Sequence, residues 1–323
     1  MRCTNKFLRR VICVTSCISL MCGTCACSGS SYSLPYSINS TDYSESGGEM
    51  LDTFASDLCV VNTDIGDSLT VSEKTCLGLF DIGKKETMYA INAHTQLDPA
   101  SLTKVMTAIV ALKNASLDQV LVADSDVYVN EAGAQMINLS AGDSMTLEQA
   151  LHILLLYSAN DVALLIAKNI GGSVDEFVNM MNEEALSIGA TNTHFMNPNG
   201  LTAENHYTTV YDMYLMFNEA LKYDKFSQII RMSTYTTQYH LASGDMKELT
   251  VNNTNGYLRG SYEMPAGITV LGGKTGTTAA AGHCLIQLAA DTSGNEYIAV
   301  IMRSEDTETL YTEMSSLLSE ITK

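Results

Sequence analysis

The feature that most constrains this chain is where its strand-like segments fall. Short apolar runs at 58–61 (LCVV) and 76–80 (CLGLF) open the patterned region, and three more, at 268–274, 282–289 and 296–302, close it. Runs of this length bounded by turn residues read as buried strands. Between them lie four segments with helical periodicity, at 101–113, 147–170, 174–188 and 209–222. Strands at both ends around a helical middle require a sheet assembled from distant parts of the chain, flanked by helices, which is an α/β arrangement of the α+β type. A last segment, 307–321, places Leu310, Met314, Leu317, Leu318 and Ile321 on one stripe, as a helix packed on that sheet would. No internal repeat is visible, so 54–323 is read as one domain, near the upper size for a single core.

Apolar residues make up 46% of the chain and charged residues 17%, enough for a sizeable core. The net charge of −18 excludes a nucleic-acid binder, because no Lys/Arg face exists to neutralise phosphates. That charge is unevenly placed. Residues 1–27 hold Arg2, Lys6, Arg9 and Arg10 and no acid, followed by an apolar run at 11–21 and small residues around Gly23, Thr24 and Ala26. A basic stretch, a short apolar stretch and a small-residue stretch describe a secretion signal rather than a spanning helix, so the protein is expected to be exported. Residues 28–53, rich in Ser, Gly, Tyr and acids, read as a flexible linker. Cys27 opens this linker and is similar to the lipidated cysteine of a bacterial lipoprotein, although Thr24 stands where such signals carry Leu. Lipidation at Cys27 and simple cleavage with release both stay open. Of the nine cysteines only Cys59, Cys76 and Cys284 lie beyond the leader, with no ligand spacing. They read as buried thiols, with a Cys59–Cys76 disulfide as the alternative.

Three short motifs can carry chemistry. In Asp98-Pro99-Ala100-Ser101-Leu102-Thr103-Lys104, Asp98 is a good N-cap and Pro99 a good first helical residue. Ser101 then falls in the first turn, near free backbone N–H groups, and Lys104 shares its face. A serine needs a base to become a nucleophile, and a desolvated lysine can serve. Only Lys104, among all the lysines, has a serine three positions earlier. The second motif, Ser158-Ala159-Asn160, interrupts an apolar run and needs partners for its polar groups. The third, Lys274-Thr275-Gly276-Thr277, ends an apolar strand with groups that can grip a carboxylate, and it lacks the glycine spacing of a phosphate loop. Taken singly, each also fits a plain reading: a capped helix start, a turn between helices, a polar turn leaving an edge strand.

Together and in this order they are the SxxK, SxN and KTG set of penicillin-binding proteins and serine β-lactamases. The stretches PASLTKVMTAIVAL, LLLYSANDVALLIA, THFMNPNGLTAENHYTTVYDM and GGKTGTTAAAGHCLI further resemble blocks of the D-alanyl-D-alanine carboxypeptidase family. The resemblance spans 54–323 and implies a serine β-lactamase/DD-peptidase-like fold with an antiparallel sheet. It implies that Ser101 is acylated with Lys104 as its base, that Ser158 relays a proton to the leaving D-alanine, and that Asn160 holds the substrate amide and orients Lys104. Lys274 would add positive field, and Thr275 and Thr277 would bind the terminal carboxylate. The N–H groups of Ser101 and Thr277 would form the oxyanion hole, and Gly276 would admit substrate as an added strand. The implied partners are peptidoglycan stem peptides and, as inhibitors, β-lactams, with a membrane contact through the N-terminus only.

Two departures qualify the resemblance. Many relatives continue into a β-rich domain with an amphipathic terminal helix, whereas this sequence ends after 307–321, so its anchor is expected at the N-terminus. Relatives also often place an arginine after the last core strand, where this chain reads SEDTETLYTEM. The six histidines show no paired spacing, so no metal or other cofactor is expected; His206 is read as structural. Two rival readings exist. A class A β-lactamase needs a loop glutamate in a Glu-x-x-x-Asn setting, but Glu204 directly precedes Asn205, and Glu183 and Glu184 fall in a segment expected to be helical and exposed. A non-catalytic peptidoglycan-binding relative would have little reason to keep all three motifs.

Overall fold

In the computed structural model, residues 56–323 are described, apart from 67–68, 70, 125–126 and 132. The expected secretion signal, Cys27 and nearly all of the linker lie outside them. The described residues fall in one unit, 53–323.

Among the described residues, nine strands form two antiparallel sheets. The larger has the order β2-β1-β9-β8-β7, built from β1 (Cys76–Asp81), β2 (Glu86–Ile91), β7 (Ile268–Thr278), β8 (Gly282–Asp291) and β9 (Glu296–Ser304). The last three strands form a meander, and the N-terminal hairpin docks β1 on β9 with Leu77 opposite Ile301 and Leu79 opposite Ala299. This is the closure of distant segments that the sequence pattern required. Both faces of the sheet are covered. Phe80, Ile286, Ile298, Val300 and Met302 join the helical core, while the alternate residues Leu77, Leu79, Leu285, Ala299 and Ile301 meet Leu310, Met314, Leu317 and Leu318 of α7 (Thr307–Ser319). Burial on both sides leaves little place for polar residues in β1, β8 and β9, which is why these three strands read as nearly continuous apolar runs.

The helical middle comprises α1 (Lys104–Asn114), α2 (Leu147–His152), α3 (Asn160–Gly171), α4 (Val174–Ser187), α5 (Val210–Ala220) and α6 (Asp224–Ile230). The helical segment 147–170 is two helices, and the first ends at the Ser158-Ala159-Asn160 interruption. It starts with a Thr146/Gln149 capping box, passes through a π-turn at Ile153–Tyr157, and stops at Ser158, whose φ of +67° no α-helix accommodates. A second helix then begins at Asn160.

The expected strand at 58–61 is also absent. Side chains meet its backbone instead: Cys59 N–H donates to Tyr214 Oη at 2.9 Å, Tyr211 Oη–H donates to the Cys59 carbonyl at 2.9 Å, and Thr87 Oγ1 and His94 Nε2 lie 2.9 Å from the Val60 and Val61 carbonyls. Strand β2 pairs with β1 in its place. A smaller sheet, β3 (Val120–Val122), β4 (Ser144–Thr146), β5 (Thr234–His240) and β6 (Met246–Asn252), borders the helices. Cys59, Cys76 and Cys284 are buried free thiols, so the disulfide alternative falls.

Candidate active site

The serine turn departs from expectation in one respect. Pro99, with φ −77° and ψ −18°, stands at the N-cap, and no side chain caps it, so Asp98 does not play that part. Ala100 takes φ +47°, and Ala100–Thr103 form a 3₁₀ turn that runs into α1. In such a turn residues three apart eclipse, which stacks Lys104 directly over Ser101.

Two glycines allow other segments to reach this turn. An ideal Cβ on Gly276 would lie 3.0 Å from Ser101 N and 3.1 Å from both Leu102 N and Pro99 O. A side chain there would push β7 off the serine. On the opposite side, a Cβ on Gly200 would lie 1.9 Å from the Ala100 carbonyl oxygen, and Gly200 has φ +86°. The turn carrying Gly200 is held by its own asparagines, with Gly200 N–H donating to Asn197 Oδ1 at 2.7 Å and Leu201 N–H to Asn199 Oδ1 at 3.1 Å. Thr107 Oγ1 of α1 donates to the Pro198 carbonyl at 2.6 Å.

These contacts converge on Lys104, which is fully buried. Its Nζ lies 2.9 Å from Ser101 Oγ, 2.8 Å from Asn160 Oδ1 and 2.5 Å from the Asn199 carbonyl oxygen. The last two can only accept. A neutral amine has two N–H bonds and one lone pair. With both N–H bonds committed to Asn160 and Asn199, the lone pair must face Ser101, whose hydroxyl can donate to it. Burial first, and the neighbouring Lys274 second, hold the Lys104 amine well below the ordinary lysine range; Asp161 opposes them.

Lys274, 1% exposed on β7, donates to Ser158 Oγ at 2.9 Å and to the Thr275 carbonyl at 2.7 Å. Burial lowers it to about 7. The left-handed backbone of Ser158 is what turns its hydroxyl toward β7 instead of along the helix. Thr275 Oγ1 donates to Thr254 Oγ1 at 2.6 Å, and Thr277 Oγ1 lies 3.4 Å from His283 Nδ1. Because β7 is an edge strand, its outer side is open to a further strand. Ser101, Ser158, Asn160, Thr275, Gly276 and Thr277 line one cleft of about 940 Å³, with both lysines beneath its floor. All eight residues singled out in the sequence therefore meet here.

Four contributors were not singled out. Asn199 and Gln135 act through backbone carbonyls, which any residue type supplies. Thr254 and Arg259 line the cleft from the segment between β6 and β7, far from any motif in sequence. Of these, the asparagine-rich NPNG turn gave a legible signal, in the alternation of turn residues at 197–200. His206 bridges the same parts: Met196 N–H donates to its Nδ1 at 2.9 Å, so Nε2 carries the proton and donates to Thr103 Oγ1 at 2.9 Å. Burial lowers it to about 4, which keeps it neutral. Glu184, expected to be exposed, is buried and accepts from Lys113 at 2.6 Å.

A family model described as D-alanyl-D-alanine carboxypeptidase matches residues 75–306 of the chain. The chain is 34% identical over 208 residues to D-alanyl-D-alanine carboxypeptidase DacF of Bacillus subtilis, covering 64% of this chain and 50% of that protein. It is 31% identical over 234 residues to D-alanyl-D-alanine carboxypeptidase of Streptomyces sp. K15, covering 69% and 78%. It spans about half to three fifths of the length of the Bacillus protein and of DacC from Escherichia coli. Among solved structures, the Streptomyces K15 DD-transpeptidase superposes with a TM-score of 0.72 at 27% identity, covering 79% of this chain and 98% of that one. The expected fold is thus the observed one.

Proposed function

Since the chain belongs to the D-alanyl-D-alanine carboxypeptidase family, we propose that it is a serine-type hydrolase that removes the terminal D-alanine from peptidoglycan stem peptides through an acyl-enzyme on Ser101. The observation that carries this reading is the Lys104 amine, held 2.9 Å from Ser101 Oγ with its other two contacts taken by pure acceptors. The amine takes the Ser101 proton as Oγ attacks the carbonyl between the two D-alanines. The oxyanion develops beside the Ser101 N–H and the backbone of β7, which Gly276 lets approach. Ser158 gives its proton to the departing nitrogen and takes one from Lys274 behind it. Water then cleaves the ester: Lys104 returns its proton to Ser101 Oγ, and the proton lost by the water restores Lys274.

The substrate's C-terminal carboxylate is met by Thr275 and Thr277, backed by the positive field of Lys274. Arg259 adds a permanent cation to the cleft from a segment other than the one where many relatives carry their arginine. This makes a clear expectation. A peptide ending in D-Ala-D-Ala acid should release D-alanine at least about 100-fold faster than its C-terminal amide releases D-alaninamide, because a site built for a charge loses its match when the charge is absent. Equal turnover of acid and amide would assign the KTG strand another task, and no release from either would remove the carboxypeptidase reading.

The proposed site of action is outside the cytoplasmic membrane, where peptidoglycan lies. The basic, apolar and small-residue pattern of 1–27 supports export, and Cys27 at the head of a polar linker supports a lipid tether. A multiply acylated cysteine holds a protein at a membrane firmly, whereas one chain does so only marginally. Cys27→Ser is therefore expected to move the protein from the membrane fraction to the soluble exported fraction. Unchanged fractionation would exclude the tether and leave cleavage and release.

A further inference from the structure

Asp161 follows the SxN asparagine on α3 and is 1% exposed, yet no cationic side chain pairs with it among the described residues. Its carboxylate instead accepts backbone N–H groups from Ile137 at 3.3 Å, Leu139 at 3.1 Å and Val162 at 3.0 Å. Ile137 and Leu139 follow Gln135, a residue of the cleft wall. The Gln135 carbonyl accepts both the backbone N–H of Asn160 at 2.8 Å and its Nδ2 at 3.1 Å. The remaining amide atom of Asn160, Oδ1, accepts from Lys104. Contacts thus run unbroken from the buried carboxylate through segment 135–139 to Asn160 and on to the amine beside Ser101.

Charge ties the same groups together. Asp161, Lys104 and Lys274 are all buried. One carboxylate balances one ammonium, and a second buried ammonium would stand uncompensated in low-dielectric surroundings. The site therefore favours one neutral amine, and the hydrogen-bond pattern around Lys104 marks which one it is.

We propose that Asp161 is a positioning residue of the acylation step: it clamps segment 135–139 so that Asn160 aims the Lys104 amine at Ser101, and it supplies the negative charge facing that amine. The inference rests on the acyl-enzyme reading above. The charged groups facing Lys104 are Lys274 from β7, which disfavours its ammonium, and Asp161 from α3, which favours it. His206, behind Thr103, is neutral, and Glu131, Arg259 and His283 line the open cleft above. Removing the Asp161 charge makes the Lys104 ammonium less favourable, so the free amine persists to lower pH. A merely structural loss would let water reach Lys104 and return it toward its ordinary value, which moves the pH limb the other way.

The test is the rate of adduct formation with benzylpenicillin, monitored by intact-protein mass spectrometry on the full chain from about pH 5 to about pH 10. Asp161→Asn keeps the shape and removes the charge. It is expected to lower the plateau rate by about 10-fold and to shift the acid limb down by about one pH unit. A limb that stays in place or moves up, or an unchanged plateau, overturns the proposal. Should Asp161→Asn fail to fold, Asp161→Glu keeps the charge on a longer arm. It is expected to lower the plateau with the limb in its original place, and a displaced limb in that variant overturns the proposal equally. A wild-type chain that takes up no penicillin at any pH would instead sink the acyl-enzyme reading itself.

Discussion

Lys104→Ala is expected to lower the rate of penicillin acylation by about 100- to 10,000-fold while the protein stays folded, the usual loss when a general base is removed. The amine is the only group within hydrogen-bond distance of Ser101 Oγ that can take its proton, given the contacts of the described residues. Retention of the fold is expected from the energetics of burial. The Lys104 amine lies below its ordinary value in the folded protein, so the unfolded chain binds its proton more readily than the native one. The cost to stability is absent above the unfolded lysine pKa, grows as pH falls from there, and levels off below the folded pKa. At neutral pH the substitution relieves that cost. It also leaves the Asn160 and Asn199 oxygens without a donor, which costs about 1–3 kcal/mol each if water does not replace it. The two effects oppose each other, so the melting temperature is expected to change little. Near-normal acylation by a folded Lys104→Ala protein would remove Lys104 from the mechanism.

How legible each feature is in the sequence depends on how it is encoded. Strands β1, β8 and β9 are buried on both faces, so burial itself wrote them as apolar runs. Side-chain chemistry at fixed spacing announced Ser101, Lys104, Ser158, Asn160 and the KTG strand. Features built from backbone left weaker traces. Asn199 and Gln135 contribute carbonyl oxygens, and Ala100 and Ser158 contribute positive φ angles in residues that seldom adopt them. The interruption at Ser158 was legible from its polar groups, but the π-turn before it was not, because apolar residues continue through a turn that changes the backbone and not the composition. Strands β5 and β6 expose most of their residues, so Thr and Tyr carry the strand preference with no apolar stripe to reveal it. The 58–61 segment misled for the opposite reason. It is apolar because Cys59 and Val61 are buried, but side chains of Tyr211, Tyr214, Thr87 and His94, rather than a strand ladder, meet its backbone. The serine turn shows the limit of capping rules: β7 and the Gly200 turn hold it from both sides, and that tertiary support replaces the cap Asp98 was expected to give.

Benzylpenicillin is expected to leave one covalent penicilloyl group on the peptide containing Ser101, stable through desalting, and none on Ser101→Ala. A β-lactam presents a strained amide beside a carboxylate, the same two features as a D-Ala-D-Ala terminus. The Ser101–Lys104 pair and the Thr275 side of the cleft should therefore engage it as they engage a peptide. Peptide and lactam part ways once the acyl-enzyme has formed. D-alanine departs and frees the space that a hydrolytic water needs, whereas the opened lactam stays tethered to the acyl chain and occupies that space. Escaping this block takes a base placed to activate a water from another direction. Among the described residues the acids are poorly placed for it. Glu204 is exposed and outside the cleft lining, Glu184 is bound to Lys113, and the Asp161 carboxylate is committed to backbone N–H groups. Glu131 lines the cleft from an exposed position, surrounded by solvent rather than buried against the serine. The adduct should thus decay slowly, and its loss should track the slow return of D-alanine-releasing activity. Rapid, repeated consumption of penicillin with no lasting adduct would place a working base in this cleft, and Glu131→Gln would then be the substitution that shows whether Glu131 is that base.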